Sequence, residues 1–539
     1  MPDRIANSPK AQARAQDEIA IPNSEAEKEL REPSVHLQQP RRTAVTSQSG
    51  KCAEDTINAE QPRPEEQLED EIQYHYLTFD TLLPSPTGIS IPRPNQQPPP
   101  DPPDLRPYIS SPYTWRRSRK RVITALSCLV TILASVAAGA YSPPEKILTE
   151  AWGISSVVYN LGITFFNIGF AISPMVSAPF SEINGRRPLL VCSGIIFSTT
   201  YSSIIGGVLS DVYITEERNT PMALFSGAVF FGTGFGPMVS SFIVYHLSWR
   251  WVFYMQAILS AAVTAAVMVF FNETRGNVLL SRKAQMLNKW YEKLEEAGYI
   301  GVDMPVDGLV LSAEGLRQTQ RIRWKVKADE ERESLAKVIA ISLYRPFHLL
   351  VTEPVVFFFS LWVSFSWAVL YLQFGSIPLV FETNHGFNLQ QSGAAFTSIS
   401  VGGIIATFMS IWQENLVRRL GKLSNTPENR LYFVCITSIL MPAGMFWFGW
   451  TSFSSIHWIV PCLGLVCVTI GIYSIYLAVF NYLADTYHRY ASSALAAQSF
   501  CRNILGGIFP LVVRAMFINL GYPGASSLLG GIEIMTEGE

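Results

Sequence analysis

The sequence predicts an all-α polytopic membrane protein made of two helical halves, and three observations carry that prediction. The 539 residues are 48% hydrophobic and only 16% charged, too apolar a balance for a chain with a fully solvated surface. Ten apolar runs approach the roughly 20 residues a helix needs to cross a bilayer. A long polar segment between Phe271 and Val355 leaves five of these runs before it and five after. The net charge of -2 hides an uneven distribution and by itself selects no partner.

Residues 1–114 are rich in Pro, Gln, Glu and Ser and end in RPNQQPPPDPPDLRP. Such a composition cannot bury enough apolar surface to offset ordering entropy, so a disordered cytosolic tail is expected. The N-terminus has no apolar signal-peptide core, which leaves the first crossing as the insertion signal. The basic cluster TWRRSRKR, Thr114 to Arg121, precedes the run Val122 to Tyr141 and places the N-terminus in the cytosol.

Residues 115–271 form the first bundle, with further runs at Ser155 to Pro179, Met222 to Tyr245 and Trp251 to Phe271. Among them lies PLLVCSGIIFSTTYSSIIGGVLSDVY, Pro188 to Tyr213, with hydroxyls at mid-depth and a Gly pair after them. Residues 272–350 are a cytosolic loop, in which Met286, Leu287, Trp290, Tyr291 and Leu294 recur at helical spacing. They describe an amphipathic helix capped by Ser281 and resting on the membrane surface. Residues 351–529 form the second bundle, with runs at Val355 to Phe374, Gly393 to Trp412, Leu431 to Trp450, Trp458 to Leu483 and Ser492 to Phe517, and 530–539 are a polar tail.

Loop charges alternate across the second half: Arg418, Arg419, Lys422 and Arg430 mark one cytosolic loop and Arg489 another, while ETNHGFNLQQ and TSFSSIH carry no Lys or Arg. In the first half, SEINGRRPLL is cytosolic by its arginines, yet three runs separate it from the equally cytosolic central loop. An odd number of crossings cannot join two loops on one side. Either a helix is missing, or Pro188 to Tyr213 enters and leaves on the same side.

APFSEINGRRPLL resembles the signature between helices two and three of the major facilitator superfamily, and the chain is most similar to its fungal twelve-helix drug:proton antiporters. Ala178 stands at the family's first Gly, and Glu182, Gly185, Arg186 and Arg187 match the rest. The resemblance implies a cytosolic charge network that latches one state of a rocking carrier. GTGFGPMVSS resembles the fifth-helix antiporter motif, through Gly232, Gly236 and Pro237, with Ser240 and Ser241 where the family closes on glycines. VFNYLADTYHRYASSALAAQSFCRNILGGIFP resembles the run from helix ten to eleven and places Asn481 and Arg502 at intramembrane depth.

The resemblance covers roughly residues 107–529 and implies a two-bundle architecture with about ten of the usual twelve helices. Pro188 to Tyr213 reads as remains of helices three and four spliced to one helix length, without the family's helix-four arginine, and no twelfth crossing is expected. Both bundles are then incomplete.

The implied function is proton-coupled export of small, largely apolar molecules, such as drugs or secondary metabolites, by alternating access. Trp362, Phe365, Trp367 and Tyr371 are candidates to line the substrate path. Uptake or exchange of a polar nutrient or polyamine is the alternative, as is a non-transporting remnant. Expected partners are the lipid bilayer, a small-molecule substrate and protons, with no nucleic acid and a monomeric state, in the plasma membrane rather than the vacuolar one. No P-loop, HExxH or Gly-x-Ser-x-Gly motif suggests an enzyme. Six of the seven cysteines lie in apolar runs as small hydrophobes, and neither metal nor cofactor is expected.

Overall fold

The computed structural model describes residues 72–83, 100–196, 200–214, 217–299, 302–305, 317–331, 334–419, 431–487 and 490–537. Lys422, Arg430 and Arg489 lie outside the described residues, as do the tail residues 1–71 and 84–99 and the side chain of Arg418.

Helix α1 (Arg117–Gly139) follows the basic cluster, and α2 (Glu145–Trp152) is a short helix beyond its far end. Helix α3 (Ser156–Asn184) starts at Ser155, whose hydroxyl accepts from the Val158 amide at 3.3 Å. It stops at Gly185, where φ is 100°.

Next come α4 (Arg186–Ile196) and α5 (Thr200–Val212), two short helices that pack against each other. At 1.5 Å per residue they rise about 17 and 20 Å, little more than half a hydrocarbon core. The Arg186 guanidinium, where α4 starts, donates to Asp211, where α5 ends, at 2.9 Å. The stretch therefore enters and leaves on one side as a hairpin. With α6 (Asn219–His246) and α7 (Arg250–Phe270), the first half has four full crossings, an even number, and both basic loops fall on the cytosolic side.

The central segment differs from expectation in two ways. Helix α8 (Gly276–Glu296) does not lay its apolar face on lipid: Ala284, Leu287, Trp290, Tyr291 and Leu294 pack with Leu77, Val302, Ile322, Trp324 and Val326. Ser281 is not a cap but donates to the Asn277 carbonyl inside the helix. The second difference lies in the tail. Strand β1 (Gln73–Tyr76) pairs in parallel with a central-loop strand, so this part of the tail is ordered. A four-residue strand of aromatic character, QYHY, is too short to register in a composition averaged over more than a hundred residues.

Strands β2 (Val302–Pro305) and β3 (Arg317–Gln320) form an antiparallel pair, and β4 (Ile322–Lys325) is the partner of β1. Asn288 clamps β4, accepting from the Trp324 amide at 2.8 Å and donating to its carbonyl at 2.9 Å. After the single turn α9 (Lys327–Glu330), helix α10 (Leu335–Thr352) leads to the second bundle.

There α11 (Pro354–Asn384) is buried on nearly every side from Val363 to Phe381, the pattern of a central helix. Helices α12 (Leu389–Ala395) and α13 (Thr397–Arg419) make one crossing, α14 (Leu431–Thr437) and α15 (Leu440–Trp450) a second, and α16 (Ile459–Thr486) a third.

The last element, α17 (Ala491–Glu537), breaks at Gly521, where φ is 72°. Beyond it Tyr522 meets Thr383 at the outer end of α11, and Glu533 meets Trp362 near its cytosolic end. The chain thus turns back and crosses again. Residues 530–537 are not a polar tail: they continue the helix, and Glu533 among them is fully buried and hydrogen-bonded. Among the described residues this makes ten crossings and one hairpin, with both bundles joined by α3 against α17 and α6 against α13.

Candidate functional site

The predicted cytosolic residues come together. Gly185 leaves room that a Cβ would fill, since an added methyl would collide with the Glu273 carboxylate. That carboxylate caps α4, accepting from the backbone amides of Arg186 at 2.8 Å and Arg187 at 3.3 Å, where a helix N-terminus favours negative charge. It also takes the amides of Thr274 and Arg275.

Buried Asp211 lies between two guanidiniums, Arg186 at 2.9 Å and Arg275 at 3.0 Å, and Arg275 reaches Glu182 at 4.0 Å. Burial works against the charge on Arg275, but Asp211 and Glu182 together outweigh it and raise its pKa. Arg187 stays exposed and donates to the Met268 carbonyl at 2.7 Å. The network closes within the first half and the start of α8. Glu273, Arg275 and Asp211 were missed by the sequence reading; for the first two the signal was an acid and a base directly after the apolar run, in FNETRG.

Helix α6 uses its glycines on two faces. An added Cβ would stand 2.7 Å from the Ile132 carbonyl oxygen at Gly232 and 2.6 Å from that of Val136 at Gly236. Pro237 packs against Gly139, so this motif seats α6 on α1. The other face, Gly227 and Gly234, meets Thr407, Phe396 and Ser400 of the second half. Asn481 donates to Asn219 at 3.2 Å, a bridge between halves at the cytosolic end.

Between the halves, Arg502 lies over the rings of Trp367 and Tyr476, 4.5 and 5.0 Å from their centroids. A charge at such depth costs roughly 2.5–3.5 kcal/mol on insertion scales, and cation–π contacts return about 0.5–2 kcal/mol each. Gly506 faces Trp367 and Tyr371, and Gly507 faces Asn167 and Thr164 of the first half. Phe230 of the first half packs edge-on against Trp367. Several buried polar atoms here have no protein partner: Asn167 Oδ1, Trp367 Nε1, Gln498 Nε2 and Arg502 Nε.

Two of the four predicted lining aromatics, Trp367 and Tyr371, border this cluster. Phe365 instead packs against Phe509, and Trp362 donates to Glu533 at 3.2 Å. Asn167, Gln498 and Glu533 were not singled out in sequence; each is a polar residue in an apolar run, which at intramembrane depth is a functional signal.

Bridges between the halves lie at both ends of the site. Lys146 pairs with Glu382, and Ser142 donates to the Phe374 carbonyl at 2.9 Å on the outer side. On the cytosolic side Thr220 meets Glu414 at 3.1 Å, and Gly206 packs against Phe480. Two helical halves that share a central polar and aromatic site, with bridges above and below it, define a membrane carrier.

This chain belongs to the major facilitator superfamily, whose family model matches residues 196–510. The efflux pump FUB11 of Gibberella moniliformis is 31% identical over 444 residues, 77% of this chain and 70% of its own length. The efflux pump atB of Aspergillus terreus is 33% identical over 429 residues, 73% of this chain and 83% of its own. The major facilitator superfamily multidrug transporter mdrA of Aspergillus fumigatus is 30% identical over 454 residues, 78% and 69% respectively. Among solved structures, the proton:xylose symporter XylE bound to 6-bromo-6-deoxy-D-glucose aligns with TM-score 0.50 at 14% identity over 78% of this chain and 95% of its own, a likeness of fold. The protein is thus a multi-pass membrane transporter and not an enzyme, with the bilayer and a small molecule as its partners.

Proposed function

We propose that this transporter exports small, largely apolar molecules in exchange for protons, by alternate opening of its two halves. The Arg502 cluster carries the reading: unpartnered polar atoms walled by rings from both halves, at mid-membrane. Relatives named as efflux pumps and as a multidrug transporter support the direction.

Glu533 is the group to which we assign the proton. Trp362 Nε1 donates to its Oε1 at 3.2 Å, and Ser366 Oγ lies 3.1 Å from the same oxygen and 2.9 Å from the Trp362 carbonyl. A hydroxyl has one proton to give. When Ser366 gives it to the carbonyl, its oxygen is free to accept from a protonated Glu533; when Glu533 ionises, Ser366 turns its proton to the carboxylate. One rotation satisfies both states.

In this scheme the Glu182, Arg186, Asp211 and Arg275 network fastens the hairpin to the start of the central linker, and Arg187 lies at its rim. Gly232, Gly236 and Pro237 hold α1 and α6 as one rigid unit. The protein acts as a monomer in the plasma membrane. A second reading, a member of this transporter family that no longer carries flux, is favoured by the hairpin that stands where the family has helices three and four.

The test is flux in proteoliposomes with an acidic lumen. Accumulation of a fluorescent lipophilic dye that a protonophore abolishes, and that Glu533→Gln uncouples from pH, is the expected result. Correct insertion without gradient-driven flux across a dye panel would leave the non-transporting reading.

A further inference from the structure

The central site is unbalanced in a way that selects a ligand. Arg502 offers five N–H donors. In the fold it finds one marginal acceptor, Ser499 Oγ at 3.5 Å, and two ring faces. Among the described residues no carboxylate lies within ion-pair reach of it.

Two more donors beside it lack acceptors. Trp367 Nε1 belongs to the ring under the guanidinium, and Gln498 Nε2 belongs to a side chain one helical turn before Arg502. Both residues are deeply buried, Trp367 6% and Gln498 2% exposed. A low-dielectric site cannot leave such groups unmet without cost, so a ligand there is favoured by what it can accept. The walls set the rest of its shape: Trp367, Tyr371, Tyr476 and Phe230 present ring faces and edges, suited to a flat apolar body.

We propose that the Arg502 cluster binds the carboxylate of an aromatic organic anion, with guanidinium, indole and amide N–H groups on the anionic head and the aromatic rings around its body. This deepens the export reading and rests on it for the role of the site. It also fits a largely apolar cargo, since only the head is charged. Asn167 Oδ1, unpartnered on the first-half wall, would accept from a hydroxyl or N–H on the same ligand.

The test uses the full chain in lipid nanodiscs and three isosteric probes at pH 7.5: 2-naphthoate, 2-naphthamide and 2-naphthylmethylammonium. Equilibrium dialysis should show naphthoate binding at least about tenfold tighter than either other probe. That preference should fall to less than about twofold in Arg502→Gln and be partly kept in Arg502→Lys, which retains the charge but not the fork. Should Arg502→Gln fail to fold, Gln498→Leu replaces it, with an expected loss of about three- to tenfold for naphthoate alone.

Equal or tighter binding of the amide or the ammonium overturns the proposal. So does an anion preference unchanged in these variants, or the absence of binding by all three probes. Binding needs no flux, so the two readings fail separately. Anion-selective binding without gradient-driven transport would sink the export reading alone, and dye export without anion preference would sink this one alone.

Discussion

At the scale of single residues, the positions that matter here are small or charged, and each is tied to a neighbour by geometry. Gly185 meets two demands at once, a φ of 100° and the space taken by the Glu273 carboxylate. Gly153 meets only the first, with a φ of 64° and nothing within 4 Å of an added Cβ. A left-handed backbone costs a non-glycine residue about 1–2 kcal/mol. Gly153→Ala should therefore lower the melting temperature slightly, by that backbone cost. Gly185→Ala should lower it clearly further, because a backbone at φ 100°, ψ 160° suits glycine alone and the Glu273 cap on α4 must also move. Differential scanning fluorimetry of the two purified variants checks this, and equal shifts would show that the cap has no stabilising share. The pairing of Asp211 with two arginines follows the same logic: hydrogen bonds to charged groups contribute about 1.5–3 kcal/mol each, and removing one partner leaves a buried charge exposed to its full cost.

At the scale of elements, what sequence made legible was whatever hydropathy and loop charge control. In all ten apolar runs the described residues are mostly helical, and the parity failure pointed directly at Pro188 to Tyr213. Hydropathy could not say that this stretch is a hairpin, because the deciding contact, Arg186 with Asp211, joins residues 25 apart through space. Cysteines placed at Pro188 and Ile214 should both react with a membrane-impermeant maleimide from the cytosolic side only. Labelling of one from outside would make the stretch a crossing. The cytosolic module was illegible for a different reason: strand β1 is stable only when β4, some 250 residues later, lies beside it. The module also predicts a pH response. Burial opposes ionisation of Glu295, but the hydrogen-bonded guanidiniums of Arg323 and Arg321 outweigh it and hold its pKa below the ordinary carboxylate value. A depressed acid contributes stability above its unfolded pKa, about 4.3, and loses it as pH falls through the folded value. Amide-exchange protection of Gln73 to Tyr76 should hold from pH 7 to 5 and fall below about pH 4. In Glu295→Gln, protection should already be weaker at pH 7.

At the scale of the whole molecule, transport by two rocking halves requires contacts that open at one end while the other stays shut. Contacts bridge the halves at both ends of the Arg502 site, so under the proposed alternate opening, access from the cytosol must separate α6 from α13 there. Gly227 and Thr407 mark that seam: a Cβ at Gly227 would stand 3.2 Å from the Thr407 Cβ. Disulfides span a Cβ separation of about 3.5–4.5 Å, so a few tenths of an ångström of relaxation admits one. In a background with the seven native cysteines replaced, Gly227→Cys with Thr407→Cys should cross-link on mild oxidation, stop gradient-driven flux, and recover it on reduction. The outer pair offers the matching control. Lys146→Gln removes a bridge that is mostly solvent-exposed on the lysine side and worth only about 0–1 kcal/mol, so flux should persist with a modest bias toward outward opening. If the cross-linked protein transports at an undiminished rate, the halves do not separate along this seam, and alternate opening about the Arg502 site is the wrong mechanism for this chain.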